Sequence, residues 1–255
     1  MIVESLLVLA VLAVILVFFY KQAVKEFRIL QTDSLDKAQS LLHERCPVVV
    51  LPAPTPKALW TRADLKQRPT LYNSSLVGGK SLKQLLKQQA VSLGHEQAEE
   101  LATKSGIQIW VDQHLVPAFK TAAWWTPVLM TRTEVAIGSQ GLRQTYGYPT
   151  VLLATEHAIQ VSLLNESSDP YLPTNWQGKR LSKMTRDDAP FLPQIQYIDV
   201  IVRPGSALLI PPHWKVCWEN KDKESALTVW VELHHPVSWI LRKVAVRSAK
   251  RKTKA

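Results

Sequence analysis

The first pattern along the chain is a run with no polar break. Leu6 to Tyr20 reads LLVLAVLAVILVFFY, and with Met1, Ile2, Val3 and Ser5 it forms a 20-residue stretch interrupted only by Glu4. Apolarity on every face, rather than on one stripe, predicts a helix surrounded by lipid. At ~1.5 Å per residue such a helix reaches about 30 Å, the thickness of a hydrocarbon core. No basic segment comes before the run, and FFYKQAVKEF after it lacks a small-residue cleavage pattern. Residues 1–22 are therefore expected to be a retained transmembrane anchor, not a cleaved signal. Lys21, Lys25 and Arg28 follow it, and the positive-inside rule then places the rest of the chain on a cytoplasmic or matrix face. The mitochondrial inner membrane is one candidate location.

Residues 23–45 read as a Lys/Glu-rich helical stalk, with Thr32-Asp33-Ser34 as a cap ahead of Leu35. Cys46-Pro-Val-Val-Val-Leu-Pro52 predicts a short strand, and ALWTRADLKQRP (58–69) a Thr-capped helical turn. Ser81–Gln89 and His95–Lys104 carry apolar residues at helical spacing. After Gly106 the texture shortens into β-branched runs separated by Gly, Pro, Asn or Asp. The predicted strands are Ile107–Val111, Val128–Ile137, Thr150–Ala154, Ala158–Leu164, Ile195–Val202, Ala207–Ile210, Val216–Glu219 and Ala226–Leu233. This spacing predicts a mainly β domain with flanking helices over 46–235, built as a sandwich or barrel. A tail, 236–255, follows it.

Composition sharpens the picture. With 46% hydrophobic and 20% charged residues among 255, the chain can build a core. Two Cys exclude a disulfide scaffold or a Cys-rich zinc module. Of the net charge of +10, seven units lie in the tail on Arg242, Lys243, Arg247, Lys250, Arg251, Lys252 and Lys254, with no acidic residue among them. The body of the protein is thus near neutral, and the tail is expected to contact anionic lipid or a protein partner. No nucleic-acid module accompanies it, so no specific nucleic-acid binding is expected.

Catalytic signatures are scarce. The chain contains no Gly-x-Ser-x-Gly, P-loop or dinucleotide fingerprint. Cys46 and Cys217 lie in apolar strand sequence and are expected to be packed. Glu232-x-His234 and Asp112-x-His114 would each set a carboxylate and an imidazole on one strand face. Without a third ligand nearby, both are read as solvent-facing polar pairs. His213 is expected at the rim of the fold.

The segment IQYIDVIVRPGSALLIPPHWKVCWEN, Ile195 to Asn220, carries a resemblance. A strand runs into Pro204-Gly205, a second strand follows, then Pro211, Pro212 and Trp214. This resembles the late strands of the cupin-like Jumonji-C family, and CPVVVLP with ALWTRADL resembles its entry strand and helix. The resemblance implies a double-stranded β-helix, a cupin or jelly-roll architecture. In that family, a His-x-Asp/Glu pair and a later His hold Fe(II), which acts with 2-oxoglutarate. Residues two after the seven His are Arg45, Gln97, Val116, Ile159, Lys215, Pro236 and Val237, none of them acidic. The resemblance places the first ligand pair on Gln144/Tyr146 or Tyr146/Tyr148 and the later His on Val216. It therefore implies a degenerate site with no metal and no cofactor. The expected function is a membrane-anchored, catalytically inactive accessory or structural subunit, with the bilayer and other membrane-complex proteins as partners. The alternative is an Fe(II)/2-oxoglutarate protein hydroxylase with atypical ligands.

Overall fold

The computed structural model describes residues 2–21, 27–54, 60–76, 79, 81–87, 93–119, 130–187, 190–221, 226–236, 238–240 and 242–243. Helix α1, Ile2–Lys21, has 20 residues. Leu6, Leu7, Val8 and Leu9 are consecutive, so they point in four directions, and all are exposed. Counting only residues described in full, no helix is long and apolar enough to cross a membrane.

The rest of the described chain is mainly β with flanking helices. Strands β1 (Leu30–Thr32), β2 (Val48–Val50), β3 (Met130–Ile137), β5 (Thr150–Ala154), β8 (Ala207–Ile210) and β10 (Leu227–His234) form one sheet in the order β1-β2-β8-β5-β10-β3. Strands β4 (Gln140–Gln144), β6 (Ile159–Leu164), β7 (Ile198–Val202) and β9 (Lys215–Asn220) form the other, in the order β4-β9-β6-β7. Every pairing is antiparallel except β1 with β2. The two sheets pack face to face as a β sandwich.

Period-two alternation builds three layers. On the larger sheet, Val135, Val151, Leu209 and Val229 face helices α2 (Leu35–Leu41), α3 (Arg62–Gln67), α4 (Pro69–Asn73), α5 (Leu82–Lys87), α6 (His95–Ser105) and α7 (Ile107–Trp110). The alternate positions Ala136, Leu152, Leu208 and Trp230 pack against Val161, Val216 and Trp218 of the smaller sheet. A third cluster, Leu142, Leu164, Met184, Ile195 and Cys217, covers the outer face of that smaller sheet.

Local signals explain the helix starts. Ser34 accepts the Asp36 N–H at 3.2 Å ahead of α2, and Thr61 and Asp64 form a reciprocal capping box at α3. Gly141 on β4 meets the connection at 178–179 so closely that a Cβ there would collide with the Gly178 carbonyl. That approach is held by Leu142 N–H to the Lys179 carbonyl and Gly178 N–H to the Leu142 carbonyl, both 2.8 Å.

Three expectations are corrected. Of the stretch 23–45, residues 23–26 lie outside the described residues, and the rest is not one helix. Leu30–Thr32 joins the large sheet alongside Val48–Val50, whereas Leu35–Leu41 is the expected helix behind its Ser34 cap, with Ala38 and Leu42 entering the core. Ile107–Val111 is helical, with Ile107 and Val111 buried four residues apart. Strand β4 was not expected, since its residues QGLRQ are mostly polar.

The register defines two ends of the sandwich. Met130, Thr150, Leu164, Ile198, Ile210, Lys215 and His234 share one, called here the mouth. Ile137, Ala154, Ile159, Val202 and Asn220 lie toward the other.

Candidate functional site

The same alternation that sends Val135 and Ile137 toward the helices sends Arg132 and Glu134 to the opposite face of β3. There Glu134 is buried and Arg143 from β4 approaches it at 2.6 Å. Arg132 contacts the other carboxylate oxygen at 3.0 Å and also pairs with Glu99. His95, reaching round the edge strand from α6, lies 2.9 Å from that same oxygen. Burial by itself would raise the Glu134 pKa. The Arg143 charge, the His95 hydrogen bond and the Arg132 charge outweigh it and hold the carboxyl well below the usual range.

The Arg143 guanidinium lies 4.2 Å from the centre of the Trp230 ring. Trp230 in turn stacks on Trp218, with centroids 5.6 Å apart and planes 20° from parallel. Trp218 donates to the Thr228 hydroxyl at 3.0 Å, whereas the buried Trp230 Nε1 has no hydrogen-bond partner among the described residues.

Of the positions to which the resemblance assigns metal ligands, Val216 borders this stack. Val216 is fully buried on the inner face of β9, and its register partner is Arg143. Gln144 pairs with Lys215, whose side chain turns outward to Asp169 and Trp176. Tyr146 and Tyr148 lie beyond the end of β4. The Tyr146 hydroxyl donates to Gln144 at 3.4 Å, and the Tyr148 ring centre lies 6.0 Å from that of His235. Both phenols are pushed up by burial, Tyr146 also by Glu232, while Arg45 opposes the shift at Tyr148. The inward residue facing Val216 is therefore Arg143, neither a Gln nor a Tyr. Iron does not fit this set: Val216 has no donor atom, Arg143 is a cation, and the Glu134 carboxylate is already committed to two guanidiniums. Among the described residues, no group of three or more His, Cys, Asp and Glu could hold a metal ion.

A second polar group lies at the mouth. Glu232 and His234 are buried, not solvent-facing, which corrects the expectation for that pair. His234 Nε2 lies 3.2 Å from Glu232, and its Nδ1 lies 3.4 Å from the Ser238 hydroxyl. This order resembles a nucleophile–base–acid relay, but its chemistry is that of a latch. Ser238 is 2% exposed and donates to the His235 carbonyl at 3.0 Å, and Arg242 lies 3.1 Å from Glu232. A buried hydroxyl with its proton already committed has no route to substrate. The Trp239 ring completes the latch, meeting His234 edge-on at 5.4 Å.

Other singled-out residues separate. Pro204 and Gly205 form the β7–β8 turn at the far end, with Gly205 at φ 90°. Pro211, Pro212 and Trp214 form the β8–β9 turn at the mouth, where Trp214 Nε1 donates to the Arg45 carbonyl at 3.3 Å. His213, in that turn at φ 72°, lies 3.9 Å from Glu166. Asp112-x-His114 sits on an exposed helical turn, with Asp112 bonded to Gln108 and Thr131. Both Cys are buried, and burial pushes the Cys217 thiol up to about 11. Arg242 and Lys243 are described, while Arg247, Lys250, Arg251 and Lys252 lie outside the described residues. A groove of about 440 Å³ lies on the outer face of the small sheet, between Ser162, Asp199 and Cys217 on one side and Leu181, Arg186 and Leu192 on the other.

The residues the sequence reading missed are Arg132, Glu134 and Arg143. The one available signal was Arg132-x-Glu134, two charges sharing a face of a strand whose other face is apolar.

No protein-family profile matches the chain. No curated protein matches it either. Among solved structures, the chain is similar to hydroquinone 1,2-dioxygenase from Sphingomonas sp. TTNP3, determined with 4-hydroxybenzoate bound. The identity is 17% and the TM-score 0.28, and the match covers 47% of this chain and 65% of that one.

Proposed function

We propose that this protein is a membrane-anchored, catalytically inactive cupin-like subunit, serving a membrane-associated assembly from its cytoplasmic or mitochondrial matrix face. The strand orders β3-β10-β5-β8 and β4-β9-β6-β7 support reading the core as a double-stranded β-helix. The observation that carries the inactive reading is the Arg143–Glu134 pair stacked on Trp230, opposite Val216. A cation locked to a carboxylate fills the space an open coordination site would need. The apolar circumference of α1 and the cationic flank after it support the anchor. The protein contributes shape, charge and attachment, and its interior contributes rigidity.

The expected behaviour is retention in the membrane after alkaline carbonate extraction, with a variant lacking residues 1–22 released. Purification in mild detergent is expected to bring a stoichiometric protein partner with it. Intact full-length protein in the carbonate supernatant would remove the anchor. A chain purifying alone and monodisperse would remove the accessory role.

A further inference from the structure

We infer that the mouth of the sandwich faces the bilayer and that the Trp239, Ile240, Arg242 and Lys243 side chains leaving that mouth meet an anionic leaflet. The inference rests on reading α1 as a membrane anchor. It starts from where the chain re-enters the fold. Phe27 stacks on Trp214 of the β8–β9 turn, with centroids 6.0 Å apart and planes 17° from parallel. Three residues on, the Leu30 N–H donates to the Pro47 carbonyl at 2.9 Å. Phe27 is thus fastened to the mouth.

Only residues 22–26 separate it from Lys21, the last residue of α1. Whatever their conformation, a chain gains at most ~3.3–3.6 Å per residue, so Phe27 lies within about 20 Å of the helix end. Strand β3, Met130–Ile137, runs from the mouth toward the far end. At ~3.4 Å per residue it alone covers about 25 Å. With the far end against the membrane, Phe27 would stand at about the full stretch of its tether. The inverted orientation therefore requires residues 22–26 to be almost fully extended, whereas the mouth-down orientation requires no stretching.

Charge then distinguishes lying flat from facing down. The C-terminal segment leaves the sandwich after His234, at the same mouth. Its Trp239 ring carries Lys243 at 5.0 Å and Arg242 at 5.9 Å, while Ile240 is 60% exposed beside it. An indole flanked by cations and an exposed aliphatic side chain is the composition of a helix end seated at a lipid headgroup boundary. Beyond Lys243 the chain carries five more basic residues and no acidic one. Both membrane-directed parts of the chain therefore leave from one end, and the surface that complements them is negatively charged lipid.

The test uses full-length protein in vesicles of phosphatidylcholine with phosphatidylserine, and in phosphatidylcholine alone. A thiol-reactive fluorophore is placed at Ile240→Cys or, at the far end, at exposed Lys221→Cys. Cys46 and Cys217 are buried and leave the introduced thiol as the reactive one. Headgroup-attached quenchers are expected to remove most of the emission at 240 in anionic vesicles and little at 221. High salt, or alanine at Lys250, Arg251 and Lys252, is expected to restore the emission at 240. Equal quenching at both positions, or stronger quenching at 221, would overturn the orientation. Quenching at 240 that ignores salt and lipid charge would overturn the anionic leaflet as its partner. Flotation separates the two levels: a protein that floats with vesicles but is unquenched at 240 overturns the orientation alone, and one that does not float overturns the anchor with it.

Discussion

Replacing Glu134 by glutamine is expected to lower stability by about 3–5 kcal/mol, because it leaves the Arg143 guanidinium buried without its counter-charge and Arg132 with Glu99 alone. Glu134 is 2% exposed, and the side chains of Arg132 and Arg143 are 12% and 18% exposed, so water cannot compensate the loss. In urea titrations of full-length protein in detergent, the midpoint should fall while the slope stays constant. The double change Glu134→Leu with Arg143→Met removes the Glu134–Arg143 pair together, leaves Arg132 on Glu99, and should recover part of the loss. Acid behaviour follows the same logic. The folded-state pKa of Glu134 is depressed, so its contribution is present above the unfolded value of about 4.3 and disappears as pH falls through the folded one. Glu134→Gln should therefore flatten the acid limb of the stability profile below about pH 4.3. A glutamine variant within ~0.5 kcal/mol of the parent would mean that the pair is solvated.

Trp230→Ala is expected to cost a similar amount, about 3–5 kcal/mol, through a different mechanism. Trp230 is fully buried between Trp218 and the Arg143 guanidinium. Its removal opens a cavity between the sheets and takes away the face on which the cation rests. The stacked indoles should also give a coupled near-ultraviolet circular dichroism signal that disappears in Trp230→Ala and equally in Trp218→Ala. Because Trp230 and Arg143 touch, Trp230→Ala combined with Arg143→Met should cost less than the two changes added. Strict additivity would mean that the contact contributes nothing.

The elements most legible in the sequence were those with both a continuous apolar run and firm punctuation. Thr150–Ala154 follows Pro149, and Ala207–Ile210 lies between Gly205 and Pro211; both strands have the predicted bounds. Ile107–Trp110 misled because IQIW alternates like a strand, yet Ile107 and Val111 are one helical turn apart and both are buried. Strand β4 has one buried apolar residue, Leu142, and owes its conformation to pairing with β9, a partner some seventy residues away. The absence of a His-x-Asp/Glu pair could be read directly from the chain. What replaces it could not, because positions 134, 143 and 230 meet only through strand register. Glu232 and His234 were misjudged for the same reason. A charged residue on a strand usually faces water, but here the Arg242 guanidinium of the C-terminal segment and the His234 ring cover Glu232.

Opposite Val216, the inward positions hold an arginine–glutamate–tryptophan stack, which leaves no room for a coordinated metal. The most direct measurement is metal content and 2-oxoglutarate consumption of full-length protein incubated anaerobically with Fe(II), desalted, and then exposed to oxygen. Substoichiometric iron and no 2-oxoglutarate consumption above a protein-free control are expected. Tightly retained iron at one ion per chain, or 2-oxoglutarate consumption abolished by His213→Ala or His234→Ala, would contradict that expectation.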